Sequence, residues 1–167
     1  EINTNAGGAF MNAALARAHR ACCAPAQVWH PSDEREADPL RRFAQMFRDE
    51  WRAQRGASPW RSVLVADDEP DHQYLAPEFT LARAMFADQG LVAAIGDARA
   101  CEWRDGRLWH PALPPGVAVD MVYNRVTDFP LHDPAHAALR SAALAGAIVL
   151  TPHPRAHALL ADKRRLV

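Results

Sequence analysis

The sequence has no apolar run near the roughly 20 residues that a membrane-spanning helix requires. Its first residues show no secretory signal pattern. Cysteine is scarce, and Cys22, Cys23 and Cys101 provide neither a disulfide framework nor a C-x-x-C metal motif. We therefore expect a cytoplasmic protein without a membrane partner, rather than a secreted domain held by disulfides.

A surplus of charge is also missing. Lys and Arg number 19, Asp and Glu number 20, and the formal net charge is −1. Because nucleic-acid-binding proteins usually carry a basic surplus, no nucleic-acid partner is expected. Of the 167 residues, 49% are hydrophobic and 23% are charged, which predicts one domain with an apolar core.

The two ends of the sequence point to a segment of a longer protein. The chain starts at Glu1 rather than at a methionine, and it stops within a basic stretch that begins at Lys163. We expect residues 1–167 to form a single α/β domain of that longer protein.

Short apolar runs alternate with segments of helical periodicity. Buried parallel strands are predicted at Ser62 to Ala66, Leu91 to Ile95, Val117 to Tyr123 and Ala147 to Leu150. Helices are predicted from Ala9 to about Cys22 and from Pro39, Pro77 and Pro134, because proline is favoured at a helix start. Asp105-Gly106 predicts a β-hairpin turn, and residues 24–38 predict a surface loop with two prolines. The pattern predicts an α/β fold with a Rossmann-like, mostly parallel sheet, helices on both faces and one antiparallel hairpin.

Candidate site residues follow the predicted strands, because ligands of open α/β sheets bind beyond the carboxyl ends of the strands. This rule selects four segments: Asn3 to Gly8, Asp67 to Asp71, Asn124 to Asp128 and Thr151 to His157.

The first segment combines oxygen ligands with glycines. Glu1 and Asn3 lie two residues apart on a predicted strand, so their side chains leave the same face. Their oxygens are of the type that binds Mg²⁺. Gly7 and Gly8 lead into a helix start, whose backbone N–H groups favour an anion. A plain edge strand followed by a glycine turn is the alternative.

The second and third segments carry charge. Asp67, Asp68 and Glu69 follow a buried strand, where they could bind a ligand or form a solvated acidic turn. Arg125 could hold a substrate carboxylate in a bidentate pair, or it could simply pair with Asp128. The sequence leaves these alternatives open.

Two histidine pairs, His132/His136 and His153/His157, have the spacing of metal ligands on one helical face. Proline near each helix start places the first member of each pair outside the helix, and no third ligand follows with a recognisable spacing. A metal-dependent hydrolase therefore ranks third among the hypotheses.

The order of the motifs resembles one known family. Glu1-Ile2-Asn3-Thr4 is similar to the E-I-N-T segment of the eukaryotic-type glutathione synthetases. The similarity continues in order with Val63 to Ala66 before an acidic loop, the hairpin at Asp105-Gly106, the strand that ends before Arg125, and the segment from Leu139 to Arg164. It covers residues 1–14 and 60–167.

The resemblance implies the substrate-binding domain of an ATP-grasp ligase, which uses ATP and Mg²⁺ to join a carboxylate to an amine through an acyl phosphate. It implies ATP binding by Glu1 and Lys163, and metal binding by Glu1 and Asn3. The substrate would be a small peptide or amino acid, and the ATP-grasp domain of the same chain would be the partner. The implied substrate-binding residues are Arg125, Asp67, Asp68, Glu69 and Gln73.

Departures from the family pattern bear on the substrate. The stretch from Asn5 to Gly8 stands where the family has serines that bind substrate, so Gly7 and Gly8 would line the substrate site without hydroxyls. Val126 to Phe129 replaces the family's Asp-Gly-Tyr pattern. These changes favour a related ligase with another peptide or amino-acid substrate.

The main alternative is a stand-alone α/β module that binds a small acidic metabolite without catalysis. The chain lacks the glycine-rich lid and the second set of acidic metal ligands of an ATP-grasp fold, so we expect that it does not turn over by itself. The sequence leaves the two substrates, the activity of the site and a homodimer open.

Overall fold

A computed structural model describes residues 7–22 and 39–156 of the chain. Helices are α1 (Ala9–Cys22), α2 (Pro39–Arg55), α3 (Ala76–Ala87) and α4 (Ala137–Leu144). Strands are β1 (Ser62–Asp67), β2 (Val92–Asp97), β3 (Glu102–Arg104), β4 (Arg107–Trp109), β5 (Met121–Asn124) and β6 (Val149–Thr151). Short 3-10 turns cover Pro70–His72, Ala98–Ala100 and Pro134–His136. The predicted first strand and the surface loop at 24–38 lie outside the described residues, as do residues 157–167.

Four strands form a parallel sheet in the order β2-β1-β5-β6. Strands β3 and β4 form a separate antiparallel hairpin. Its turn residues, Asp105 and Gly106, have φ values of +53° and +69°, the left-handed conformation that an Asp-Gly turn adopts readily. The predicted α/β class, with a mostly parallel sheet and one antiparallel hairpin, is confirmed.

The sheet buries a different core on each face, because successive side chains of a strand point to opposite sides. On the α1–α3 face, strand residues such as Val63, Val65 and Tyr123 pack against aromatic side chains of the first three helices: Phe10, Phe47, Phe79 and Phe86. On the α4 face, Leu64 and Val122 pack against residues of α4 and the hairpin: Leu139, Ala142 and Leu108. The prediction of helices on both faces is therefore confirmed.

Two of the boundaries that differ from the expectations have a local cause. The run predicted as a strand from Val117 to Tyr123 forms one only over Met121–Asn124, because a turn bonds the N–H of Val117 to the carbonyl of Pro114 just before it. After Asp133, one 3-10 turn precedes α4, and the Asp133 carboxylate accepts from the N–H of Ala135 at 2.8 Å. Among the described residues, no helix is long and apolar enough to cross a membrane.

A glycine lets the segment after the hairpin pack closely on β2. A Cβ atom at Gly96 would lie 2.6 Å from Nε2 of His110 and overlap Cε1. The ring accepts at Nδ1 from the N–H of Ala112, at 3.0 Å, and Nε2 lies 3.0 Å from the carbonyl of Asp97, to which it therefore donates. Burial lowers the pKa of His110, which keeps this neutral tautomer in place.

Candidate functional site

The carboxyl ends of β1 and β5 bring two predicted segments side by side. The two strands are parallel neighbours, with Ala66 opposite Asn124. The N–H of Arg125 donates to the carbonyl of Ala66 at 2.8 Å, so the pairing extends one residue beyond the strand. Asp67 and Arg125 therefore leave adjacent strand ends, as the strand-end rule predicts.

Asp67, Tyr123 and Arg125 form a cluster on the α1–α3 face, which we call the Asp67 cluster. Asp67 follows Val65 in the alternation of β1, and Arg125 follows Tyr123 of β5. Relative exposure is 8% for Asp67 and 6% for Arg125. An acid and a base are thus held together in a largely desolvated position, where charge interactions are stronger than in water.

Asp67 is held in an unfavourable state for a carboxylate. Burial raises its pKa from 3.8 to about 6, against the lowering effects of the Asp68 N–H and the charge of Arg125. Within the described part of the chain, its only hydrogen bond is the one that Oδ1 accepts from the N–H of Asp68, at 2.9 Å. Its second oxygen is left for another donor.

Arg125 is oriented by an aromatic ring and by a glycine. Its guanidinium carbon lies 5.5 Å from the centre of the Tyr123 ring, and Nη1 lies 3.5 Å from the Tyr123 hydroxyl. A Cβ atom at Gly7 would stand 3.8 Å from Nη2 of Arg125 and 2.9 Å from Leu75 Cδ1. The structure thus brings the predicted residues Gly7 and Arg125 together. Burial raises the pKa of Tyr123 above its ordinary value.

The start of α1, expected to favour an anion, already faces one within the chain. Glu78 of α3 is buried and accepts from the N–H groups of Phe10 and Met11 at 2.7 and 2.8 Å. The carboxylate satisfies two of the N–H groups that a helix start leaves without intrahelical partners. Glu78 therefore docks α1 on α3, next to the predicted residues Gly7 and Gly8.

On the α4 face, a buried histidine joins two carboxylates; Asp68, His136 and Asp128 form what we call the His136 bridge. Nε2 of His136 lies 2.8 Å from Oδ1 of Asp68, and Nδ1 lies 2.9 Å from Oδ2 of Asp128. Only 2% of the His136 side chain is exposed. Asp68 follows β1 and Asp128 follows β5, so the bridge ties together the two segments that carry the Asp67 cluster.

The two carboxylates favour the protonated form of His136. Burial lowers the pKa of His136, but hydrogen bonds to Asp128 and Asp68 and their charges outweigh burial and leave the pKa raised. Burial raises the pKa of Asp128, whereas His136 and the backbone N–H groups of Asp133 and His132 lower it, and the net pKa is below its usual value. The raised pKa of His136 and the lowered pKa of Asp128 both favour an imidazolium that donates to the two carboxylates.

Glu69 and Gln73, the other predicted residues of this loop, have partners within the chain. Glu69 has φ +44°, a left-handed conformation that is costly for a residue with a side chain. Nη2 of Arg99 contacts Glu69 at 3.2 Å and Asp97 at 2.6 Å, and the Arg99 hydrogen bonds lower the pKa of Asp97 to about 2. Nε2 of Gln73 donates to the carbonyl of Asp68 at 2.7 Å. The contacts of Glu69 and Gln73 therefore stabilise the loop beside the Asp67 cluster.

Several predicted site residues belong neither to the Asp67 cluster nor to the His136 bridge. Glu1, Asn3 and Lys163 lie outside the described residues. In the fourth segment, Nδ1 of His153 accepts from the N–H of Arg155 at 3.1 Å, and His132 is exposed. Residues 7–22 and 39–156 contain no group of three His, Cys, Asp or Glu side chains that could hold a metal ion.

Sequence reasoning missed the roles of Glu78, Tyr123 and His136. A signal existed for two of them. His136 precedes Leu139 and Ala142 at spacings of three and six, and Glu78 precedes Ala82 and Met85 at four and seven, so both stand on buried helical faces. A polar residue on such a face needs an internal partner.

Comparison of the chain with protein-family models, with curated proteins and with solved structures finds no match. The functional argument therefore rests on the geometry described above and on the motifs of the sequence.

Proposed function

We propose that the chain is the substrate-binding domain of an ATP-dependent carboxylate–amine ligase that resembles the glutathione synthetases, and that the Asp67 cluster holds its peptide or amino-acid substrate. Two kinds of support exist: the ordered motifs of the sequence, and the position of two opposite charges at the carboxyl end of a parallel sheet.

The observation that carries the proposal is the buried, incompletely bonded carboxylate of Asp67 beside Arg125. Burial of a charged carboxylate is unfavourable, and here it raises the pKa of Asp67 to about 6. A group kept in such a state in a folded protein is commonly a ligand-binding or catalytic group. A ligand that donates to Asp67 would add a second hydrogen bond to the carboxylate.

The chemistry of the cluster fits a substrate with an amine and a carboxylate. The guanidinium of Arg125 presents paired N–H donors that match a carboxylate. The Asp67 carboxylate accepts from an ammonium group. An amino acid or a peptide with free ends carries both groups, and one of these is what a ligase of this class must hold.

The resemblance implies that Glu1 and Lys163 bind the ATP of the proposed reaction and that Glu1 and Asn3 bind its Mg²⁺. Since these residues lie outside the described part of the chain, and the described part offers no cluster of three metal ligands, we derive no step through either group. The residues of the Asp67 cluster bind and orient the substrate in this proposal.

The second candidate is a binding module for a small acidic metabolite, without catalysis. Its support is the buried guanidinium of Arg125, which would hold any small carboxylate. The two candidates differ in their response to ATP and in whether Asp67 matters for affinity.

Calorimetric titration with dipeptides tests the proposal. The ligands are a dipeptide with free ends, its N-acetyl form and its C-terminal amide, each titrated into the wild-type chain, D67N and R125Q. We expect each blocked ligand to bind the wild type about 10-fold to 100-fold more weakly, since a charged hydrogen bond is lost. D67N should lose discrimination against the N-acetyl form, and R125Q against the amide.

Matched controls are D105N and R107Q, which change the same side-chain types on the exposed hairpin and should bind like the wild type. Equal affinity for free and blocked ligands would contradict the assigned roles. Affinity for simple carboxylic acids that is lost in R125Q but unchanged in D67N would instead favour the metabolite-binding module.

A thermal-shift assay with ATP–Mg²⁺ addresses the ligase part of the proposal. A ligand at 100-fold its Kd stabilises the native state by about 2.7 kcal/mol. We expect stabilisation by ATP–Mg²⁺ that is lost in the E1A and K163A variants, without phosphate release from the 167-residue chain. Carboxylate-dependent phosphate release would refute the expectation that this chain is inactive by itself.

A further inference from the structure

The His136 bridge joins the loop that follows β1 to the loop that follows β5. Asp68 and His136 are 68 residues apart in sequence, and their side chains meet at 2.8 Å. Asp128 lies three residues beyond Arg125 and contacts the other nitrogen of the same ring at 2.9 Å. One side chain therefore fixes the separation of the loop that follows β1 and the loop that follows β5.

Only the imidazolium form completes both contacts. A neutral imidazole has one N–H donor and one lone pair, whereas a carboxylate has acceptors alone. Deprotonation of His136 would leave a nitrogen lone pair facing a carboxylate oxygen at hydrogen-bond distance. The bridge would then lose one of its two bonds and gain a repulsive contact.

Burial separates His136 from the ligand itself. Its side chain is 2% exposed and lies on the α4 face, whereas Asp67 and Arg125 lie on the α1–α3 face. Any effect of His136 on the Asp67 cluster would therefore pass through the backbone. Two short links would carry the effect: Asp68 is bonded to Asp67 in the chain, and the Arg125 N–H donates to Ala66 at 2.8 Å.

The other charged groups around the ring have their own partners or face solvent. Asp133 on the same turn accepts from the N–H of Ala135, at 2.8 Å. The turn Ala98–Ala100 packs against the His136 turn, and its Arg99 binds Glu69 and Asp97. The charged residues of α4 and of the hairpin that packs on it are exposed: Arg140, Glu102, Arg104, Asp105 and Arg107. Asp68 and Asp128 are thus the charges that respond to the state of His136.

We propose that protonated His136 is a positioning residue that holds the Asp67 and Arg125 loops at the separation needed for ligand binding. Its deprotonation then loosens both loops and weakens ligand binding. The part about the ligand rests on the proposed function. The part about the loops does not.

The sign of the pH effect follows from the raised pKa of His136. A group whose pKa is higher in the folded state stabilises that state fully below its ordinary value of 6.5, and this contribution is lost as the pH rises through the raised value. Loop order and ligand affinity should therefore decline on the alkaline side, not on the acidic side.

The test compares the wild type with H136Q between about pH 6 and about pH 9, a range that spans imidazole titration. We expect the wild type to bind the free dipeptide about 10-fold more tightly than H136Q at the acidic end, and the ratio to approach 1 at the alkaline end. Taking the ratio cancels the titration of the ligand amine, which is the same for both proteins. A merely structural histidine would give a ratio that does not change with pH, which would overturn the proposal.

A measurement without ligand separates the two proposals. The hydrogen-exchange protection factor of the Arg125 amide should fall in the wild type as His136 deprotonates and stay low in H136Q. A pH-independent protection factor would refute the positioning role. If no dipeptide binds at any pH, the proposed function fails, while the protection factor still decides the role of His136.

D128N provides a second variant if H136Q does not fold. It leaves His136 with Asp68 as its one carboxylate partner, so NMR titration of the imidazole should give a lower pKa for His136 than in the wild type. Loosening of the Arg125 amide should then begin at a correspondingly lower pH. The same onset in D128N and the wild type would count against the bridge.

Discussion

At the scale of single residues, the buried carboxylate of Asp67 opposes the stability of the fold. Its pKa is raised from 3.8 to about 6 by burial, so the folded state binds its proton more tightly than the unfolded state does. Asp67 thus favours folding in acid, and this contribution disappears as the pH rises through about 6. At neutral pH the ionised side chain destabilises the fold.

D67N is therefore predicted to be more stable than the wild type at pH 8. The gain is at most about 3 kcal/mol, from a shift of about two pKa units, and it should shrink toward pH 4. Asn retains the oxygen that accepts from the Asp68 N–H. Urea unfolding at both pH values measures the difference, with D105N on the exposed hairpin as the control. A D67N variant that is less stable than the wild type at pH 8 would contradict the destabilising role of Asp67.

At the scale of elements, α1 is attached by a carboxylate from α3 as well as by apolar packing. The N–H groups of Phe10 and Met11 meet the two oxygens of Glu78 at 2.7 and 2.8 Å. A negative charge at a helix start is favourable, and here it is also buried and bonded twice. Since Gly7 precedes α1 and adjoins Arg125, this attachment also sets one wall of the Asp67 cluster.

E78Q should loosen α1 by about 1–3 kcal/mol, because an amide oxygen replaces only one of two charged acceptors. Hydrogen exchange of the Phe10 and Met11 amides should become faster, and global stability measured in urea should fall. E102Q, on the exposed strand β3, makes the same chemical change without a buried bond and should leave both measurements unchanged. Equal behaviour of the two variants would argue against the role of Glu78.

Local rules anticipated most of the elements. Pro39 begins α2 as expected, Asp105-Gly106 forms the hairpin turn, and the run Ser62–Ala66 lies fully buried within β1. The His136 bridge was not anticipated, because spacing within one helix cannot reveal partners at the ends of two strands. Proline at 134 correctly indicated that His132 lies outside the helix, but the burial of His136 depends on tertiary packing.

At the scale of the molecule, one sheet separates two hydrophobic cores. Each of its two interior strands, β1 and β5, contributes side chains to both cores. Val63 and Leu64 are consecutive in β1 and belong to opposite cores, and the same holds for Met121 and Val122 in β5. A change in the position of β1 or β5 would disturb both cores at once. The described part of the chain should therefore unfold as one cooperative unit.

Tryptophan probes test this cooperativity. Trp51 and Trp60 stack 5.7 Å apart on the α1–α3 face, and Trp103 packs against the core of the α4 face. One variant keeps Trp51 and Trp60, another keeps Trp103 and Trp109, and the remaining tryptophans are replaced by Phe. Each variant is unfolded in urea and followed by both fluorescence and far-UV circular dichroism. Coincident midpoints are expected within each variant, and separated midpoints would indicate independent unfolding of the two faces.

The alternation of side chains at the ends of β1 and β5 also matters for protein engineering. Asp67 and Arg125 face the proposed ligand, whereas their chain neighbours Asp68 and Asn124 face the opposite layer. Neighbouring residues thus face different layers of the protein. Mutant libraries aimed at new specificity can therefore vary positions 67, 123 and 125 while leaving 68 and 124 intact. A single-residue insertion within β1 would turn the side chains at positions 67 and 68 to the opposite faces of the sheet. Length changes there should therefore be far rarer among functional clones than substitutions.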